Sequence, residues 1–111
     1  MIYEVRLTDQ TRAAILGQAD FIASVRHAPM NAERWLERVW DAIDSLAEWP
    51  RRYALAPEND TRPYDIRKIA VGDYLLVFTV DDESSRVWVI GFRHGAMLPR
   101  PDDLPDDVPR E

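Results

Sequence analysis

The chain of 111 residues has the length of a single domain, and its 46% hydrophobic and 31% charged residues are typical of a globular protein. It has no cysteine, which excludes disulfides and thiolate metal sites. The net charge of −6 disfavours a protein that holds nucleic acid through its overall field, because such binding depends on Lys and Arg neutralising phosphates.

The N-terminal segment MIYEVRLTDQ predicts a strand and not a targeting sequence. Glu4 and Arg6 interrupt the apolar run that a signal peptide or a membrane span would need, so the cytoplasm is the expected location. The apolar residues of the range 2–7 alternate with polar ones, which is the pattern of a short half-buried strand.

Two helices are predicted to follow. Thr8 is placed to cap a helix over about residues 9–26, and the proline in the next segment, HAPM, ends it. Asn31 is the predicted cap of a second helix, AERWLERVWDAIDSLAEW, whose apolar residues recur at i, i+3, i+4 and i+7. Its tryptophans are expected in the core, except that Trp49 near the end should be partly exposed. Pro50 stops this helix.

Residues 64–95 predict a β-meander of three strands, because runs of β-branched and aromatic residues are bounded by turn signals. A two-residue Gly-Asp loop joins the first two of these strands. It places Val71 opposite Tyr74 and Arg67 opposite Phe78. The predicted fold class is α+β, with the element order β-α-α-β-β-β and a helical hairpin packed on one face of the sheet.

The register predicts two faces of different character. The face under the helices should carry Ile69, Leu76, Phe78, Trp88, Ile90 and Phe92. The second face should carry Ile66, Lys68, Ala70, Leu75, Val77, Val87, Val89 and Arg93. Because one helical hairpin covers one face only, the second face needs a partner, a dimer mate or the folded-back C-terminal tail.

The tail PRPDDLPDDVPRE contains five acids, two arginines and four prolines. Proline excludes regular helix and central strand, so we expect a domain over residues 1–98 and a flexible, extended tail over residues 99–111. Acidic, proline-rich segments bury little surface, which favours a partner as the cover of the second face. Such a strip also cannot hold the geometry of a metal site, and we expect no metal and no cofactor.

Four motifs together resemble the RelE/ParE family of bacterial toxins, the toxic halves of type II toxin-antitoxin pairs. They are SLAEWPRR, LAPEN, YDIRKIAVGDYLLVFTV and VWVIGFRHG, and the likeness in order and spacing covers residues 2–98. The resemblance implies a small α+β toxin that is neutralised by a tightly bound antitoxin, usually encoded beside it.

The family contains two kinds of activity. RelE-like members cut mRNA in the ribosome and carry an arginine directly after the tyrosine of the third strand, where this chain has Leu75. If the chain were such an endonuclease, the resemblance would assign Lys68, Arg67, Arg93 and His94 to the phosphate and the proton transfers. ParE-like members inhibit DNA gyrase by binding it, and Arg67 before the turn and the FRHG segment resemble that side more closely. A third reading is a non-toxic family member that acts as a binding scaffold.

Candidate contact residues follow from the apolar second face and from the loop after the second helix. The residues that we expect to contact a partner are Trp49, Arg51, Arg52, Lys68, Leu75, Val77 and Arg93. For Arg51 and Arg52, a simpler alternative is a contact with the carbonyl groups at the C-terminal end of the helix. For Arg67 and His94, a structural role is the alternative to a functional one.

Overall fold

Two helices and a four-stranded sheet form the fold in the computed structural model, which describes residues 2–110. The elements are β1 (Glu4–Leu7), α1 (Asp9–Ser24), α2 (Pro29–Ser45), β2 (Arg67–Val71), β3 (Tyr74–Asp81) and β4 (Arg86–His94). Strands β2, β3 and β4 form an antiparallel meander, and β1 pairs in parallel with β4 at the edge. The predicted α+β class and element order are confirmed.

The two helices begin differently from each other. Thr8 caps α1 as predicted, since its hydroxyl oxygen accepts a hydrogen bond from the Thr11 amide at 3.3 Å. The prediction of Asn31 as the cap of α2 is wrong, because α2 begins at Pro29 with Ala28 in the N-cap position. Proline is well suited to a first helical position, where a backbone N–H would have no partner inside the helix.

The predicted hairpin between β2 and β3 is confirmed in its register. Val71 lies opposite Tyr74 and Arg67 lies opposite Phe78. Gly72 takes a φ of +57° in the two-residue turn, a left-handed conformation that costs glycine little.

A β-bulge interrupts the pairing of β3 with β4. Val77 lies opposite Gly91, but the next residue, Phe78, lies opposite Val89, so Ile90 is an additional residue in β4. A one-residue insertion moves every residue on one side of it to the other face of the sheet. The predicted faces therefore hold for β3 and for the end of β4, but not for its first half.

The bulge makes four of the predicted positions wrong. Trp88 and Ile90 were expected under the helices, and they lie on the second face. Val87 and Val89 were expected on the second face, and they belong to the main core under the helices.

The main core lies between the helical hairpin and the sheet. Its fully or nearly buried residues are Tyr3, Ile15, Val39, Ile43, Leu46, Ile69, Val71, Leu76, Phe78, Val87 and Val89. The half-buried Trp35 packs edge-on against Tyr74 and Phe92, with ring centroids 5.5 and 5.8 Å away. Such edge-to-face contacts stabilise an aromatic cluster beyond the area it buries.

The chain's own C-terminal segment, residues 100–110, covers the second face and is called the strap below. Leu104 is only 7% exposed and packs in a second apolar cluster. The other buried members of this cluster are Ala56, Ile66, Val77, Trp88 and Ile90. Of the three covers considered for the second face, the folded-back tail is therefore the one found, and the preference for a partner is wrong. The division at residue 98 stays a prediction.

Backbone carbonyl groups hold the strap in place, which explains why its prolines are compatible with packing. Arg62 donates to the carbonyls of Pro101 at 2.6 Å and Pro105 at 3.1 Å, and the Tyr64 hydroxyl donates to Pro105 at 2.5 Å. Proline lacks an amide donor but keeps its carbonyl acceptor, so these contacts need nothing that proline has lost.

Candidate functional site

The four residues that an endonuclease would use do not converge on one point. Arg67 lies on the helix side of β2 and Lys68 on the second face, because successive strand residues point to opposite faces. The Arg67 guanidinium donates to the carbonyl oxygens of Tyr53 at 2.7 Å and Arg51 at 3.3 Å. It ties the preceding loop to the sheet edge.

Arg93 is held by a buried carboxylate. Its Nε lies 3.1 Å from Oε2 of Glu58, which is 2% exposed, and its Nη1 donates to the Met97 carbonyl at 3.0 Å. An arginine paired in this way is already neutralised and has few donors left for a phosphate. Sequence analysis did not identify Glu58, although it belongs to the LAPEN motif.

His94 and Lys68 have different surroundings. The Nδ1 of His94 accepts a hydrogen bond from the Ala96 amide at 3.0 Å, and its ring packs edge-on against Tyr74. One ring nitrogen is thus committed to the turn after β4. Lys68 is half-buried, and its side chain forms no ion pair with any group in residues 2–110. Of the four side chains, it is the one that has no hydrogen bond or ion pair to another group within residues 2–110.

Two of the expected contact residues on the second face also have little of their side chains at the surface. Val77 is buried under the strap, and Leu75 is half-buried opposite Arg93. The seven expected contact residues therefore do not form a single surface.

The loop after α2 has the most exposed large side chain of this site. Trp49 is 74% exposed, and its backbone is left-handed with a φ of +52°. A bulky residue is rare in that conformation, which costs it roughly 1–2 kcal/mol. Ile2 is 73% exposed and pairs in an isolated antiparallel bridge with Glu48, the residue that precedes Trp49. Trp49 and Ile2 together are called the Trp49 patch.

Arg52 fastens this loop to the end of α2. It donates hydrogen bonds to the carbonyl oxygens of Ser45, Glu48 and Trp49, at 3.4 Å for Ser45 and 3.1 Å for Trp49. Its guanidinium also lies over the Tyr53 ring, 4.5 Å from the centroid. The alternative prediction for Arg52, a contact with the carbonyl groups at the C-terminal end of the helix, is therefore confirmed. The cation lies where the helix dipole favours positive charge.

Arg51 fastens the same loop to the far end of the sheet. Its guanidinium forms a two-pronged ion pair with Asp82 at 2.9 and 3.2 Å, and the Tyr3 hydroxyl donates to Asp82 at 2.7 Å. The hydrogen bonds from Arg51 and then Tyr3 lower the pKa of Asp82, and the bond to Asp82 raises the pKa of Tyr3. Sequence analysis missed Tyr3 and Asp82, since no local pattern links residues so far apart in the chain.

Two further features bear on the class of function. Within residues 2–110, no group of three or more His, Asp or Glu side chains is arranged to hold a metal ion. None of the helices in that range is long and apolar enough to cross a bilayer.

The comparisons with known proteins point to one family. The family model described as "ParE toxin of type II toxin-antitoxin system, parDE" matches residues 5–99 and so ends just before the strap. No curated protein sequence matches the chain.

Solved structures show the same fold. A chain of the chromosomal ParDE TA system from P. aeruginosa has a TM-score of 0.66 at 12% identity, covering 84% of this chain and 96% of its own. A chain of the archaeal RelE-RelB complex from Pyrococcus horikoshii OT3 has a TM-score of 0.57 at 14% identity, covering 88% of this chain and 100% of its own. At such low identity these two likenesses carry the fold alone.

Proposed function

The chain belongs to the ParE toxin family of type II toxin-antitoxin systems, and on that premise we propose that a cognate antitoxin neutralises it and that it acts by binding and inhibiting DNA gyrase. Such a function places the protein in the cytoplasm, where both the antitoxin and gyrase are found. The proposal needs no cofactor and no chemical step by the toxin itself.

The dispersal of the cations is the observation that supports a binding function over mRNA cleavage. Cleavage of a phosphodiester needs preorganised donors aimed at the charge that develops on the phosphate. Here Arg67 and Lys68 point to opposite faces, and Arg93 is neutralised by Glu58. Leu75 stands where the RelE-like members have an arginine. This arrangement offers a phosphate one unengaged cation at most.

An antitoxin partner is supported by the family match and by the assemblies of the structural relatives. One of those structures is described as a ParDE system and the other as a RelE-RelB complex. Each description thus names an assembly in which the relative has a second protein as its partner.

Two assays on the purified chain test the target. We expect it to inhibit DNA supercoiling by gyrase and to leave mRNA intact on translating ribosomes. In cells, induced expression should reduce incorporation of labelled thymidine before that of labelled amino acids. Cleavage of mRNA would favour the endonuclease alternative, and a chain that affects neither process would favour the scaffold alternative.

A matched pair of variants sharpens the distinction. Lys68 is the only lysine in the chain. Lys68→Ala should lower an endonuclease activity by orders of magnitude while Lys68→Arg retains much of it, because the charge at the phosphate is what matters. A gyrase inhibitor should respond to both variants only as far as Lys68 lies in its interface.

A further inference from the structure

We propose that the Trp49 patch is the docking surface for a basic segment of the cognate antitoxin, with the Trp49 indole as its anchor. This inference rests on the proposed function, since it names the surface at which the neutralising partner would bind.

The exposure of Trp49 is not a consequence of a loose loop. Arg52 fastens the loop to α2, and Arg51 fastens it to Asp82 and thereby to Tyr3. The indole thus stands on a backbone that is held from two sides. A rigid aromatic side chain loses little conformational entropy on binding, which is the property of residues that dominate interface energies.

The backbone conformation gives a second reason to regard Trp49 as more than a surface residue. The left-handed φ of +52° is unfavourable for a tryptophan, and the structure gains no burial of the indole in return. The patch leaves two large apolar side chains in water, that of Trp49 and that of Ile2, whose backbone pairs with Glu48, the residue before Trp49. A surface of this kind is what a partner buries.

The charge around the patch defines the partner. A shallow groove beside Trp49 is lined by Asp44, Glu48 and Arg52, and neither of the two acids forms an ion pair within residues 2–110. The two cations that follow Trp49 in the chain are engaged elsewhere, Arg51 by Asp82 and Arg52 by carbonyl groups at the end of the helix and by Tyr53. A lysine or arginine of the partner could therefore lie over the indole face with carboxylates on its flank.

The net charge of −6 agrees with a basic partner. The alternative apolar surface, the part of the second face formed by Val77, Trp88 and Ile90, is covered by Leu104 of the strap. A partner approaching the free chain meets the Trp49 patch already exposed and preorganised.

The protein encoded directly beside this gene is the partner to test. It is co-expressed with the chain, the two proteins are purified, and their binding is measured by titration calorimetry. Trp49→Ala should weaken binding by at least about 30-fold, the loss typical of an interface hot spot. The double variant Asp44→Asn/Glu48→Gln should weaken it less and flatten its dependence on salt concentration. Met30→Ala is the matched control, because Met30 is 65% exposed at the other end of α2. It should bind like the wild type.

The possible outcomes distinguish an error in the docking surface from an error in the proposed function. If the neighbour-encoded protein binds wild type and Trp49→Ala equally well, the docking surface is wrong while the antitoxin proposal stands. If binding weakens with Trp49→Ala but carboxylate replacement strengthens it, the basic character of the segment is wrong. If the neighbour-encoded protein does not bind wild-type chain at all, the antitoxin proposal fails and the docking surface with it. Thermal unfolding of each variant must match wild type to within a few degrees.

Discussion

Replacing Leu104 with alanine tests whether a single side chain holds the strap on the second face. Leu104 is the buried residue of residues 100–110, and it packs in the cluster of Val77, Trp88 and Ile90. Gly91 lies beneath it, where a Cβ atom would come within 3.0 Å of Leu104 Cδ2 and 2.6 Å of Val77 Cγ2. The leucine therefore occupies space that is free because Gly91 has no side chain.

The size of the effect follows from the atoms removed. Leu→Ala deletes three carbon atoms, worth about 0.8 kcal/mol each when fully buried, or about 2.4 kcal/mol in all. The strap lies at the surface and can settle into the vacated space, so the cavity contribution should be small. We expect a loss of about 2 kcal/mol from strap docking, which raises the undocked fraction by about 30-fold.

Hydrogen exchange followed by mass spectrometry measures this directly. Within the strap, the amides of Asp103 and Leu104 donate to the carbonyls of Arg100 and Pro101. Peptides that cover residues 100–110 should exchange about 30-fold faster in Leu104→Ala, while peptides from β3 should change far less. Leu98→Ala is the matched control, because Leu98 is 84% exposed. Equal exchange in the two variants would refute the reasoning and leave the hydrogen bonds from Arg62 and Tyr64 as the main restraint.

Two further predictions concern the ion pairs. Arg93→Met should cost about 3–5 kcal/mol of unfolding free energy in denaturant titrations, because it leaves the Glu58 carboxylate buried without its cation. The double variant Glu58→Gln/Arg93→Met should recover much of that loss, and no recovery would contradict the role assigned to the pair. Folding lowers the pKa of Asp82 from 3.8. Its contribution to the free energy of unfolding is therefore present above that value and is lost as pH falls through the folded pKa. The difference in unfolding free energy between wild type and Asp82→Asn should therefore shrink from pH 7 to about pH 2. An unchanged difference would contradict the stabilising role of the Asp82 carboxylate.

The elements and the hairpin register were predictable because their signals are local. The cap at Thr8, the apolar stripe of α2 and the two-residue turn before Tyr74 each depend on neighbours within a few residues. The start of α2 was misplaced because Asn31 and Pro29 are both good starting residues, and proline at the first position prevailed.

The faces of β4 show where local signals end. Strict alternation from Phe92 puts Ile90 and Trp88 under the helices, and one extra residue reverses that assignment. Gly91 inside the strand was the available sign, since an isolated glycine in a strand often marks a bulge. Composition gave the wrong expectation for the strap, a flexible tail that buries little surface, for a related reason. It averages over a segment, whereas one leucine and the carbonyl groups of Pro101 and Pro105 were enough for packing.

The sequence by itself determined the element order, the hairpin register and the family, because periodicity, turn residues and motif order are properties of neighbouring residues. Only the tertiary structure decided which cations are engaged and which surface stays open. Arg93 meets Glu58, and Tyr3 meets Asp82, across 35 and 79 positions of the chain. Such pairs depend on how separate elements pack, and packing is set by the sum of many long-range contacts that no local pattern contains.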